Sequence, residues 1–173
     1  MLLAVVLTGY FAIAGMNRRE FYTIDDEAGP RDYAVQEPKL RPLRMDRFHG
    51  PSLDEAIRYV TTTIPQRDAI MVLPDATLLY ALTGRQSTAP LLWFHVGVTC
   101  FPGDDTDARL VEALVRRNVR WVLLEQRPQI PTRAPEHYRD LFPQFFNVLD
   151  QRFRPVAQLR NYTVLRRQDG RSP

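Results

Sequence analysis

The stretch that decides the fold runs from residue 68 to residue 90 and reads DAIMVLPDATLLYALTGRQSTAP. Its first part, residues 69–73, is a continuous apolar run without the alternation of a strand that faces water on one side. A strand buried on both faces has this pattern, and such strands are typical of parallel sheets. A proline interrupts the run. Residues 76–82 are then predicted to form a short helix that Thr83 and Gly84 end.

A longer helix is predicted immediately before this unit. Ser52 to Glu55 has the sequence of a capping box, in which a hydroxyl and a carboxylate satisfy free backbone donors at a helix start. We therefore place the helix start at Ser52, and Pro65 stops the helix. The residues expected on its buried face recur at helical spacing and are Leu53, Ala56, Ile57, Val60 and Ile64.

Further strands and a helix are predicted after the deciding stretch. Residues 91–96 are a second strand candidate, and residues 121–124 a third buried strand. Between them, the acidic residues 104–107 open a helix that Asn118 ends. The apolar stripe of this helix is predicted to comprise Ala108, Val111, Leu114 and Val115, with Leu110 at its flank.

The C-terminal part of the domain completes the predicted order of elements. After a proline-marked loop at residues 128–135, an amphipathic helix spans Tyr138 to Leu149, with a kink or break at Pro143. Two short strands follow at 153–159 and 162–165. The alternation of helices and strands predicts a small Rossmann-like, three-layer α/β domain with a mainly parallel sheet, over residues 51–168, with a tail at 169–173.

The N-terminal segment is apolar and lacks charge over residues 1–16. A buried helix of a soluble domain would be amphipathic, and a secretory signal would begin with basic residues. The run is short for a complete span. We therefore interpret residues 1–17 as the end of a last transmembrane helix that contacts the lipid bilayer. Residues 18–50 are predicted to be a connector, with a short strand near 32–35.

The charge pattern argues against nucleic-acid binding. The formal net charge is +3 with an isoelectric point near 9.3, but Lys39 is the only lysine and the arginines alternate with acidic residues. A solvated surface of mixed charge is the simpler interpretation. The densest basic stretch, Arg166 and Arg167 with Arg171, could at most contact anionic lipid head groups. The single cysteine, Cys100, excludes an internal disulfide.

Few residues are candidates for chemistry, and no catalytic or cofactor-binding residue is assigned. No glycine follows the strands at 69–73 and 121–124, which argues against a dinucleotide cofactor. Asp105 and Asp107 form an Asp-x-Asp pattern that could hold a divalent metal ion, although acids in the first turn of a helix also act as caps. The histidines, His49, His95 and His137, are too dispersed to suggest a ligand set, and Asn161 begins a glycosylation sequon.

One arrangement resembles a known family. The helix from Ser52, the stretch 68–90 and the sequence LVEALVRRNVRWVLLEQ at 110–126 are similar to the C-terminal soluble domain of bacterial GT-C glycosyltransferases. This group includes protein O-mannosyltransferases and lipid A aminoarabinose transferases. The resemblance covers about half of the chain and centres on Tyr80, Thr83, Gly84 and Arg85. We expect Tyr80 to pack against the domain and Gly84 to allow the turn that ends the helix. The Arg85 side chain is expected to face a carbonyl oxygen or solvent.

The resemblance implies a function that this chain supports without catalysing. Members of the family transfer sugar from a polyprenyl-phosphate carrier on the outer side of the cytoplasmic membrane. Their general base is an acidic residue in the first extracytoplasmic loop, near the N-terminus of the full protein. The resemblance also implies that this chain is a periplasmic domain whose partner is the missing membrane portion of the same protein. Two alternatives stay open: a self-standing, membrane-anchored binding module, and a metal-dependent sugar transferase that uses the Asp-x-Asp pattern.

Overall fold

A computed structural model describes residues 32–38, 44–73, 77–89, 105–126 and 139–168. The predicted membrane helix at 1–17, the strand candidate at 91–96 and the proline-marked loop at 128–135 lie outside these ranges. Within them, no helix has both the length and the apolar character that crossing a membrane requires.

The described elements follow one another along the chain as strands and helices of modest length. The strands are β1 (Tyr33–Ala34), β2 (Arg44–Met45), β3 (Ala69–Leu73), β4 (Val119–Glu125), β5 (Phe153–Gln158) and β6 (Tyr162–Arg167). The helices are α1 (His49–Thr62), α2 (Thr77–Thr83), α3 (Thr106–Arg116) and α4 (Pro143–Arg152). The predicted strands at β3, β4 and β6, the C-terminal strand pair and the break at Pro143 are confirmed.

The main sheet is mixed, with the strand order β3-β4-β6-β5 among the described strands. β3 and β4 are parallel, as the apolar run at 69–73 predicts, and they pair from Ile70 opposite Trp121 to Leu73 opposite Leu124. β6 pairs antiparallel with β4, and β5 antiparallel with β6. The C-terminal strands therefore add an antiparallel half to the parallel pair. The mixed α/β class is confirmed.

Helices cover both faces of this sheet, which gives the domain three layers. Side chains alternate between the faces, so Ile70 and Val72 pack on the side of α1 and α2, whereas Met71 packs on the side of α3 and α4. The predicted buried face of α1 is confirmed for Leu53, Ala56, Ile57 and Val60, and Ile64, which follows the end of the helix, belongs to the same core. The second core is dominated by the aromatic residues Phe142, Phe145, Phe146 and Phe153.

The predicted capping box at Ser52 is wrong. α1 begins at His49, and the backbone N–H groups of Phe48 and His49 donate to Oδ1 of Asp46 at 2.9 and 2.7 Å. The Asp46 carboxylate thus satisfies the free donors at the helix start. Ser52 lies one turn inside the helix and is 3 % exposed. Glu55 accepts a hydrogen bond from the Arg160 backbone N–H at 2.8 Å.

Asp46 is expected to make the stability of the domain depend on pH. Burial alone would raise the pKa of Asp46, but the N–H groups of His49 and Phe48 and the His49 imidazole, 2.8 Å from Oδ2, hold it below its ordinary value. A carboxyl with a lowered pKa in the folded state stabilises the protein above its unfolded value of about 3.9 and loses this contribution as pH falls through the folded value.

We therefore expect the free energy of unfolding, measured with urea at a series of pH values, to fall below about pH 4 in the wild type. Asp46→Asn should lower stability at neutral pH by about 1 kcal/mol, the usual effect of losing a helix N-terminal acceptor, and should flatten the acid decline. Asp32→Asn, at an exposed ion pair with Arg47, is the control and should change little. An acid decline as steep in Asp46→Asn as in the wild type would contradict this role.

The predicted apolar stripe of α3 is partly wrong. Leu110 and Leu114 are 0 % and 3 % exposed and form the centre of the buried face, whereas Val115 is 59 % exposed. Ala108 is also exposed. The helix is therefore rotated so that the face containing Thr106, Leu110 and Leu114 contacts α4 and the sheet. Asn118, with φ of 50°, ends α3 as predicted.

Candidate functional site

The residues that carry the family resemblance form a junction between α2, α1 and the edge of β3. Gly84 follows α2 with φ of 66°, a conformation that costs glycine little, and the N–H of Arg85 donates to the Tyr80 carbonyl at 3.0 Å. The Thr83 hydroxyl donates to the Leu79 carbonyl at 2.7 Å. The predicted glycine turn is confirmed, and it aims the next side chain at the end of α1.

Arg85 closes the C-terminal end of α1. Its Nη2 donates to the carbonyl oxygens of Val60 and Ile64 at 3.1 and 2.7 Å, and its Nη1 to those of Asp68 and Pro65 at 2.9 and 3.2 Å. Carbonyls at a helix end lack intrahelical partners, and a guanidinium satisfies several at once. Burial lowers the pKa of Arg85, and the nearby Asp68 carboxylate partly offsets this. The expected carbonyl contact of Arg85 is confirmed.

Tyr80 and Thr88 satisfy backbone polar groups of β3 that do not pair with β4. The Val72 N–H donates to the Tyr80 hydroxyl oxygen at 2.8 Å, and the Thr88 hydroxyl donates to the Ile70 carbonyl at 2.6 Å. Burial raises the pKa of Tyr80, so its hydroxyl stays neutral at physiological pH. These bonds occupy the backbone groups that an added strand would need at this point. Tyr80 therefore binds the backbone of β3 in addition to the packing that the sequence predicts.

The two candidate metal ligands make separate structural contacts. Oδ1 and Oδ2 of Asp107 accept the N–H groups of Phe145 and Gln144, each at 2.9 Å, which caps the start of α4 behind Pro143. Asp105 pairs with Arg109 at 2.7 Å on the surface of α3. In the described ranges, no three histidine, cysteine or acidic side chains come together in an arrangement that could hold a metal ion. The contacts of Asp107 favour a cap over a ligand.

Removing the Asp107 cap should weaken the packing of α4. Asp107→Ala leaves two N–H groups at the start of α4 without an acceptor, so we expect a loss of about 1–2 kcal/mol in urea unfolding. Asp105→Ala removes only an exposed pair and is the matched control, with a change within about 0.5 kcal/mol. If Mg²⁺ or Mn²⁺ stabilised the wild type but not Asp107→Ala, the metal interpretation would replace the cap.

A first groove of about 790 Å³ lies between α1 and the segment that follows β1. Its lining includes Tyr33, Pro38, Asp54, Arg58, Thr61 and Arg160. Asp54 organises one wall, because Oδ2 accepts the Tyr33 hydroxyl at 2.9 Å and the Gln36 N–H at 2.8 Å. Burial and the Asp54 carboxylate raise the pKa of Tyr33, while Arg160 and Arg58 oppose the rise. Both arginines line the same groove as Tyr33.

A second groove of about 420 Å³ lies where β4 ends, against α4, β5 and β6. Its walls include Leu124, Phe146 and Leu165. Its charged groups neutralise one another, since Arg139 binds the Asp150 carboxylate at 2.8 and 3.2 Å and lies 4.8 Å above the Phe146 ring. The Arg139 hydrogen bond lowers the pKa of Asp150. Sequence reasoning missed both grooves, because their walls come from segments far apart in the chain.

The remaining sequence candidates are the histidines and the sequon at Asn161. His49 pairs with Asp46, and His95 and His137 lie outside the described residues. Asn161 is 2 % exposed, and its carbonyl accepts the Gln126 N–H at 2.7 Å. A side chain so buried is a poor acceptor for an oligosaccharide in the folded domain. Asn161 is therefore better explained as a residue of the turn between β5 and β6 than as a site of modification.

Comparisons with known proteins give a structural neighbour but no family. No protein-family model and no curated protein matches it. Among solved structures, the chain is similar to the crystal structure of the C-terminal globular domain of an oligosaccharyltransferase from Archaeoglobus fulgidus, with a TM-score of 0.42 and 13 % sequence identity over 68 % of this chain and 97 % of the other. At this level of similarity, the function of the chain has to be argued from its own residues.

Proposed function

We propose that this chain is the non-catalytic, extracytoplasmic C-terminal domain of a membrane glycosyltransferase that transfers sugar from a polyprenyl-phosphate donor. Residues 1–17 would lie in the bacterial cytoplasmic membrane, and the domain would cover the site at which donor and acceptor meet. The catalytic acid would belong to the membrane portion. In this role the domain stabilises the membrane portion or positions the acceptor.

The observation that carries the proposal is the junction of α2 with α1 and β3. The family-like sequence at Tyr80 to Arg85 directs its side chains to backbone groups of Val72, Val60 and Ile64, so it builds the scaffold itself. Asp107, a candidate for metal-dependent transfer, caps α4 instead. The residues that carry the family resemblance thus hold the helices and the strand together, as expected in a domain that supports catalysis without taking part in it.

Sugar transfer tests this proposal directly. The purified chain, mixed with a polyprenyl-phosphate-linked sugar and an acceptor, should yield no product above a control without protein. In a protein that carries this domain after a catalytic membrane portion, deletion of residues 32–168 should lower transfer. Product formed by the isolated chain, or full transfer after the deletion, would overturn the proposal.

A membrane-anchored binding module is the second candidate, and the first groove favours it. Its volume lies within the usual range for small-molecule sites, and Arg58 and Arg160 are exposed at its wall. Monosaccharides and inorganic phosphate, added separately, should shift the NMR signals of the two arginine side chains if the groove binds either class. The double variant Arg58→Gln/Arg160→Gln should abolish these shifts. Unchanged spectra with every probe would count against the module.

A further inference from the structure

One end of the main sheet collects arginines from five separate parts of the chain. This is the end at which β3, β4 and β5 begin and β6 finishes, since Phe153 pairs with Arg167 and Trp121 with Arg166. We call it the arginine end. Among the described residues, its members include Arg67, Arg116, Arg117, Arg120, Arg152, Arg166 and Arg167.

Specific contacts hold these segments together. Nη2 of Arg167 donates to Oδ1 of Asn118 at 2.7 Å, which links the finish of β6 to the turn between α3 and β4. The Gln168 N–H donates to the Arg152 carbonyl at 2.8 Å and links the same strand to the end of α4. Arg166 lies 5.2 Å above the Trp121 ring. The arginines thus share one surface, although they are up to about a hundred residues apart in sequence.

Two described carboxylates contact this end of the sheet. They are those of Asp68 and Glu112. Asp68 accepts the Trp121 indole N–H at 3.0 Å and lies 3.9 Å from Arg120. Glu112 pairs with Arg116 at 2.8 Å on an exposed surface, where such a pair is weak. Among the described residues, arginines therefore outnumber acids at this end of the sheet, although the two alternate along the sequence.

We propose that the arginine end docks the domain on an anionic lipid surface. The proposal rests on the membrane attachment in the proposed function, because a domain tethered to a bilayer is held at high effective concentration near its head groups. Each arginine near an anionic surface then shifts the docking equilibrium by roughly fivefold. Val115, 59 % exposed and next to Arg116 and Arg117, adds an apolar side chain of the kind that enters a bilayer interface.

Energy transfer from Trp121 to labelled lipid reports this docking. The sequence has two tryptophans, so Trp93→Phe leaves Trp121, at the arginine end, as the sole donor. The full chain would be reconstituted into vesicles containing dansyl-labelled phosphatidylethanolamine. The bulk lipid would be either phosphatidylcholine alone or a mixture with phosphatidylglycerol. We expect stronger transfer in the anionic vesicles and loss of the difference at about 0.5 M salt, where the Debye length is only a few ångströms.

Two triple variants separate the effect of the arginine end on docking from the effect of net charge. Arg67→Gln/Arg117→Gln/Arg152→Gln removes exposed guanidinium groups from this end and should reduce docking about a hundredfold, bringing transfer to the level of neutral vesicles. Arg44→Gln/Arg47→Gln/Arg109→Gln removes three exposed arginines that belong neither to this end nor to the first groove, so it changes the net charge equally and should keep the anionic effect. Far-UV circular dichroism checks that both variants fold.

The outcomes distinguish docking through the arginine end from membrane anchoring through residues 1–17. Equal transfer in neutral and anionic vesicles, or equal loss in both triple variants, would overturn the arginine end as a docking surface. Vesicle flotation tests separately whether residues 1–17 anchor the chain in a bilayer. A chain that floats only with anionic vesicles would contradict the anchor and support the arginine end, whereas a chain that floats with neither would overturn both.

Discussion

Arg85→Ala should lower the free energy of unfolding by about 3 kcal/mol, because it removes the charged donor that serves four carbonyls at the end of α1. Val60 and Ile64 are 0 % and 3 % exposed, so water does not readily replace the guanidinium at their carbonyl oxygens. An unsatisfied buried acceptor carries the full desolvation cost of that group. Urea unfolding in a mild detergent, followed by circular dichroism, measures the loss.

Two further variants show whether geometry or charge is responsible. Arg85→Lys keeps the charge but lacks the planar fork that reaches several carbonyls, so it should recover only about half of the loss. Arg58→Ala removes an exposed arginine from α1 itself and should change stability by less than about 0.5 kcal/mol. If Arg85→Ala were no more destabilising than Arg58→Ala, the closing role of Arg85 would be wrong.

The elements that the sequence predicted correctly depend on local chemistry. The apolar run of β3 needs burial on both faces wherever it lies, and Gly84 ends α2 because its backbone conformation suits glycine. Pro143 breaks the preceding helix and starts α4, since it lacks an N–H and clashes with the preceding turn. In each case the deciding interaction lies within a few residues of the pattern.

Two of the features that the sequence did not predict are local, namely the Asp46 cap of α1 and the bond of the Tyr80 hydroxyl to β3. The others depend on partners far along the chain, and Asp107, for example, caps a helix that begins 36 residues later. The first groove needs Arg160 to approach α1 across the sheet. Charge interleaving along the sequence likewise concealed the arginine end, because strand pairing brings Arg166 and Arg167 to the turn after α3. A local sequence pattern carries no information about contacts between residues so far apart.

Leu110→Ala should destabilise the domain by about 3 kcal/mol, as expected for a leucine truncated in a packed core. Leu110 is 0 % exposed and belongs to the core that also contains Phe145 and Leu149. The loss combines the transfer free energy of the removed atoms with the cost of a cavity that surrounding aromatic rings cannot fill without leaving their rotamers. Urea or thermal unfolding measures it.

Val115→Ala is the matched control, because the sequence alone placed Val115 in the buried stripe and Leu110 at its flank. The structure leaves Val115 59 % exposed, so its truncation should change stability by less than about 0.5 kcal/mol. The two interpretations of α3 therefore predict opposite rankings of the same two variants. A larger loss from Val115→Ala than from Leu110→Ala would mean that α3 is rotated about its axis relative to the packing described, with Val115 facing the sheet.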